Sequence, residues 1–135
     1  MSNFGYVHAA IITLLNVLLL ALCLYFVGRA RGKHGIKAPA TTGHPDFERA
    51  FRAHMNTVEQ TVMFLPTLWV ASVYGDAHIA AWLGYIWLVA RVWFLFGYIA
   101  EASKRSYGFT IASLANLGLL GVAFWGLLPP LVRIG

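Results

Sequence analysis

Four apolar stretches, residues 7–27, about 58–73, 79–99 and 111–128, take up most of a 135-residue chain and fix the solvent in which it folds. A helix spanning the hydrocarbon core of a bilayer needs about 20 mostly apolar residues. Lipid offers no water to backbone N–H and C=O groups, so helices and closed barrels alone can cross it. Stretches of this length specify helices, and the expected fold is all-α: an integral membrane four-helix bundle, a single domain over residues 1–135. Composition agrees, with 59% hydrophobic and 11% charged residues against roughly a quarter charged in a soluble domain. Little chain remains for anything else. Any site must therefore be built from helix ends, short connections and contacts between copies of the chain.

The first apolar segment has no basic residue before it and is too long for a signal-peptide core, so it is expected to stay as a span. Cys23, the single cysteine, falls inside it and reads as a small buried hydrophobe. The histidines at 8, 34, 44, 54 and 78 lack the paired spacing of a metal motif, so no metal is expected. Basic residues set the topology. Arg29, Arg31, Lys33, Lys37, Arg49 and Arg52 lie in or beside the first connection and Lys104 and Arg105 in the third, whereas the second connection has none. The first and third connections are thus expected on the cytoplasmic side, with both termini and residues 74–78 opposite. The formal charge of +5 then reports topology, and no nucleic-acid partner is expected.

The first connection, residues 28–45, is punctuated by Gly32, Gly35, Pro39, Gly43 and Pro45 and reads as a mouth or lid. Asp46 is the expected cap of the second helix, with Glu48 near the positive end of its dipole. Pro66 is expected to kink that helix.

Ionisable residues continue into this second helix. Arg52, Asn56 and Glu59 fall at i, i+4 and i+7 and share one face, with Arg49 one turn earlier. Arg91, Phe94, Tyr98, Ala102 and Arg105 follow a similar line on the third helix. Both lines reach the cytoplasmic interface, which predicts a cleft there. Arg91, deepest of the charges, reads as a structural ion-pair partner of Glu59, because an unpaired charge at that depth costs about 2.5–3.5 kcal/mol on insertion scales. Arg29, Lys33, Lys37 and Lys104 read as anchors that reach toward headgroups. Asn16 and Asn116 are expected to hydrogen-bond between helices. Three polar groups on one face exceed what anchoring needs, so Arg52, Asn56 and Glu59 point to a ligand that carries both signs of charge.

The run PATTGHPDFERAFRAHMN, continuing through VEQ to FLPTLWVAS, and the later run ARVWFLFGY followed by AEASKR resemble the membrane-associated proteins of eicosanoid and glutathione metabolism, the MAPEG family. The resemblance covers nearly the whole chain and is carried by the specific pattern E-R-x-[FY]-R-A-x-x-N-x-x-E. It implies a homotrimer of four-helix subunits that binds glutathione between subunits near the cytoplasmic face. By matching position, it implies that Arg31, Arg52, Asn56, Glu59, Tyr98 and Arg105 contact glutathione and that Arg105 activates the thiol; His54, at a position where the family has another residue, is added to the glutathione contacts as a hydrogen-bond donor. The chemistry suits the set: arginine forks hold carboxylates, Glu59 suits an ammonium, and Asn56 can donate or accept.

The implied activity is a membrane glutathione transferase, with glutathione as co-substrate, acting on apolar electrophiles or, as a peroxidase, on lipid hydroperoxides. At neutral pH a thiol with a pKa of about 8.5 is only slightly ionised, and a fixed guanidinium in a water-poor pocket favours the anion. Three positions depart from the family pattern. His54 replaces a glutamine, Gln60 a tyrosine, and Phe94 a tyrosine. The alternative function is a non-catalytic fatty-acid-binding scaffold, as in the family's lipoxygenase-activating member. That member lacks the arginine matching Arg52, so the presence of Arg52 and Arg105 favours an enzyme.

Overall fold

The computed structural model describes residues 3–134, and every regular element in them is helical. Helix α1 covers Asn3–His34, α2 Pro45–Tyr74, α3 Ala77–Ala100 and α4 Ser106–Ile134, with a short 3-10 helix, Ala102–Arg105, leading straight into α4. Three of these segments, α1, α3 and the 3-10 helix with α4, are long and apolar enough to cross a membrane. Helix α2 is as long, but it carries Asp46, Glu48, Arg49, Arg52 and Glu59.

Helix α1 runs seven residues past its apolar stretch, so the first connection is shorter than residues 28–45. Arginine, lysine and alanine propagate a helix as readily in water as in lipid. The helix ends where Gly35 takes φ 65° and the Ile36 N–H donates to Arg31 O at 3.0 Å, the wide ring of a glycine-terminated stop.

The cap of α2 also differs from expectation. His44, not Asp46, is the N-cap; its Nδ1 accepts the Asp46 N–H at 3.1 Å, and Pro45 takes the first helical position, where its missing N–H costs nothing. The Asp46 carboxylate meets Arg49, His34 and His44. Desolvation pushes this carboxyl up, but His44, Arg49 and His34 outweigh it and hold it below its ordinary value. His34, His44 and Asp46 do gather ligating atoms within 4.8 Å of one another. However, the His44 Nδ1 lone pair faces the Asp46 amide and the carboxylate faces Arg49, so the trio is accounted for as a clasp joining α1 to α2.

Like α3, helix α2 packs against each of the other three long helices. It continues unbroken through Pro66. Phe64 of α2 stacks on Trp87 of α3, centroids 3.8 Å apart, both fully buried. Trp69 donates from Nε1 to Thr13 of α1 at 3.0 Å. Asn16 of α1 meets Thr61 of α2 at 3.4 Å, the expected bond between helices. Asn116 does not follow suit, since its buried Oδ1 has no donor among the described residues. Leucines and valines at 14, 17, 18, 89, 114 and 117 are exposed, as faces turned to lipid require.

Candidate functional site

A cleft of about 840 Å³ opens between α2 and the α3–α4 hairpin. Its walls follow from how the helices bury their other faces. Phe47, Ala50, Ala53, Thr57, Thr61 and Phe64 turn α2 into the core. A helical register that buries these residues leaves Arg52, Asn56 and Glu59 on the open side. Across the cleft, α3 contributes Phe94 and Tyr98, and the 3-10 helix contributes Arg105. Thr41 and Thr42 of the first connection lie at its mouth.

The hairpin is tightly made. A Cβ on Gly97 would lie 2.5 Å from Lys104 O, and one on Gly108 would lie 2.5 Å from the Phe94 nitrogen. Only glycine lets α3, the 3-10 helix and α4 approach this closely, and that approach brings Arg105 over the Tyr98 ring, 5.2 Å from its centroid. Arg105 also donates from Nη1 to Ala102 O at 3.1 Å. Tyr98 meets Phe94 edge-on, 88° between planes at 5.5 Å, and Phe94 in turn faces the Arg91 guanidinium at 3.9 Å. Arg105, Tyr98, Phe94 and the buried Arg91 thus form a row in which two rings lie between two cations, with Arg91 behind the cleft wall.

The charges of the cleft are open. Arg52 and Glu59 are both exposed, and neither makes an ion pair or hydrogen bond among the described residues. Unpaired, opposite charges two turns apart suit a molecule that brings a carboxylate and an ammonium of its own.

Of the residues expected at the site, five line this cleft: Arg52, Asn56, Glu59, Tyr98 and Arg105. Arg31 and His54 do not line it within one chain. Arg31 donates from Nη1 to Ala40 O at 2.8 Å and lies over Phe47, which pins the first connection to α2. Arg49, the earlier member of the stripe, is occupied by Ile99 O, 3.2 Å from its Nε, and by Asp46, so it ties the start of α2 to the end of α3.

Arg91 is not the partner of Glu59. It lies fully buried on the far side of α2 and donates from Nη2 to Asn56 Oδ1 at 2.9 Å and Thr57 Oγ1 at 2.7 Å. Glu59 sits on the open face, out of its reach. Thr57 was not singled out from the sequence; its spacing of four from Thr61, both beside the buried face, was the available signal.

The MAPEG family matches residues 9–125 of this chain. Leukotriene C4 synthase of Cavia porcellus is 42% identical over 119 residues, covering 88% of this chain and 79% of that protein. Microsomal glutathione S-transferase 2 of Homo sapiens is 42% identical over 102 residues, covering 72% and 69%. An uncharacterised protein of Synechocystis sp. is 46% identical over 111 residues, covering 82% and 81%.

Proposed function

The chain belongs to the MAPEG family, and on that premise we propose that it is an integral membrane glutathione transferase whose site is the cleft between α2 and the α3–α4 hairpin. The observation that carries this reading is the pair of unmatched charges, Arg52 and Glu59, on one face of α2 beside Asn56. Glutathione supplies what they lack: two carboxylates and an ammonium, with a thiol between them. The names of two relatives, a leukotriene C4 synthase and a microsomal glutathione S-transferase, support activity of the same type.

Arg105 is the catalytic group. Its guanidinium acts as a fixed charge against sulfur, and the thiol proton leaves to solvent. The N-terminus of α4 begins at the next residue and adds to the positive potential there. The thiolate attacks an electrophilic carbon and expels the leaving group. With a hydroperoxide, two glutathione molecules reduce ROOH to ROH and water and leave as the disulfide. Apolar acceptors enter from the lipid side, past Phe109 and Met55.

Four spans follow in this reading, with α2 as the fourth and the cleft at the cytoplasmic interface. A single chain leaves Arg52 and Glu59 exposed on the outer face of α2, and a charge left facing lipid is penalised. Assembly as a homotrimer covers that face and lets Arg31 and His54 reach the site of an adjacent copy.

The test is purified protein in detergent, assayed for glutathione conjugation to an apolar aryl halide and for hydroperoxide reduction. We expect conjugation, and we expect Arg52→Ala to raise the Kd for glutathione about 10- to 100-fold, the range for a lost charge-assisted hydrogen bond. Inactivity in both assays together with tight fatty-acid binding would replace the transferase by a lipid-presenting scaffold. Unchanged binding by the variant would make the α2 stripe structural.

Phe94 offers a gain-of-function check. Its buried ring forms part of the cleft wall but brings no hydroxyl. Phe94→Tyr is expected to tighten glutathione binding about two- to tenfold, one net hydrogen bond, measured by calorimetry. A Kd equal to or weaker than that of the parent protein would show that position 94 does not face the bound peptide.

A further inference from the structure

Asn56 lines the cleft with a carboxamide, which can turn either an acceptor oxygen or a donor NH2 to a ligand. The residue behind it settles the matter. The Arg91 side chain, fully buried between α2 and α3, approaches Asn56 from the protein side and donates from Nη2 to its Oδ1 at 2.9 Å. A guanidinium has only donors and keeps its charge at any working pH. The Asn56 atom that faces it must therefore be the oxygen. The same Nη2 donates to Thr57 Oγ1 at 2.7 Å, and the Thr57 hydroxyl hydrogen is directed at Ala53 O, 2.8 Å away. Every group around that nitrogen is thus fixed as donor or acceptor, and none is free to reverse.

Arg91 is an unusual residue for a merely structural role. No carboxylate pairs with it among the described residues, and its Nε and Nη1 have no hydrogen-bond partner. A buried cation is expected to be met by an opposite charge. Here it is met by an amide oxygen, a hydroxyl and the face of Phe94, of which Asn56 and Phe94 also line the cleft.

We propose that Arg91 is a positioning residue for the cleft, holding the Asn56 carboxamide with its NH2 toward the ligand so that Asn56 binds a carboxylate oxygen and cannot serve an ammonium. The inference rests on the glutathione reading of the cleft and sharpens it. Arg52 and Asn56 become donors to ligand oxygens, and the acceptors that α2 brings to the cleft are the carboxylates of Glu48 and Glu59. A ligand with its ammonium beside Asn56 is refused, because the amide cannot flip without turning N–H groups against a guanidinium.

The experiment compares the parent protein, Asn56→Asp, Arg91→Gln and Arg91→Lys, purified in detergent, by calorimetric glutathione binding, by the split between KM and kcat in conjugation, and by thermal melting. Asn56→Asp keeps an oxygen toward Arg91 and adds the missing charge, but removes both donors. It should melt at or above the parent temperature while its Kd rises about tenfold or more. Arg91→Gln frees the amide to flip, and the loss should fall on KM rather than kcat; Arg91→Lys, which restores a donor-only cation, should recover part of it. Parent-like binding by Asn56→Asp would overturn the proposal, since Asn56 would then serve Arg91 alone. So would a parent-like KM in Arg91→Gln. If Arg91→Gln does not fold, Asn56→Asp carries the test. Absence of glutathione binding by the parent protein is a separate outcome, which removes the reading beneath the proposal.

Discussion

Arg105→Ala is expected to leave glutathione bound with its thiol protonated. The guanidinium lies at the junction of the 3-10 helix and α4, held by Ala102 O and the Tyr98 ring, and it is the cation placed opposite the α2 stripe. Without it, the thiol should return toward its solution pKa of about 8.5, leaving only a few per cent thiolate at pH 7. Conjugation at that pH should fall about 10- to 100-fold, in line with losing one preorganised charge at a reacting centre. Two measurements check this. The ultraviolet absorbance of bound thiolate should vanish near neutral pH, and the rate should climb with pH where the parent protein is already level. A lysine at 105 should restore part of the effect as a point charge without the fork. Unchanged thiolate formation in Arg105→Ala would move the chemistry elsewhere.

Gly108→Ala is expected to damage the fold and the site together. The added Cβ would stand 2.5 Å from the Phe94 nitrogen and 2.7 Å from Ala90 O, and backbone atoms cannot rotate away as a side chain would. Helices α3 and α4 must part, at a cost at or above the usual 1–3 kcal/mol of overpacking. Melting in detergent should fall by several degrees, about 2–8 °C for each kcal/mol in a domain of this size class, and Arg105 should lose its place over Tyr98. Gly28→Ala is the control. Nothing lies within 4 Å of its added Cβ, and a helical Gly→Ala exchange is neutral or favourable by up to about 1 kcal/mol. Equal melting of Gly108→Ala and the parent protein would contradict the close crossing.

The all-helical fold was legible because apolar stretches of span length admit few alternatives, and Arg52, Asn56 and Glu59 share a face by helical arithmetic alone. Other features needed the third dimension. The end of α1 at His34 was hidden because the composition turns from apolar to basic and glycine-containing at Gly28, a change that marks the end of the apolar stretch and not the end of the helix. His44 displaced Asp46 as the cap because Pro45 takes the first helical position, a choice between two adjacent polar residues that spacing cannot rank. Arg91 was matched to Glu59 by charge. Its actual partners, Asn56 and Thr57, depend on how α3 is rotated against α2, which no single-helix pattern encodes. Arg31 entered by matching position in the resemblance and His54 as a departure from it, neither by helical spacing, and they are the two expected contacts that one chain leaves outside its own cleft.

Helix α2 packs against each of the other three long helices and brings Arg52, Asn56 and Glu59 to the cleft, yet it is the long helix whose own composition does not suit it to cross a membrane. Its arginines and glutamates would each resist entry if it met the bilayer alone. The contacts that offset this belong to its neighbours: Asn16 against Thr61, Thr13 against Trp69, and Trp87 against Phe64. The last of these arrives only with α3. The packing that offsets the charges of α2 is therefore complete only once α3 is in place, since Trp87 belongs to it.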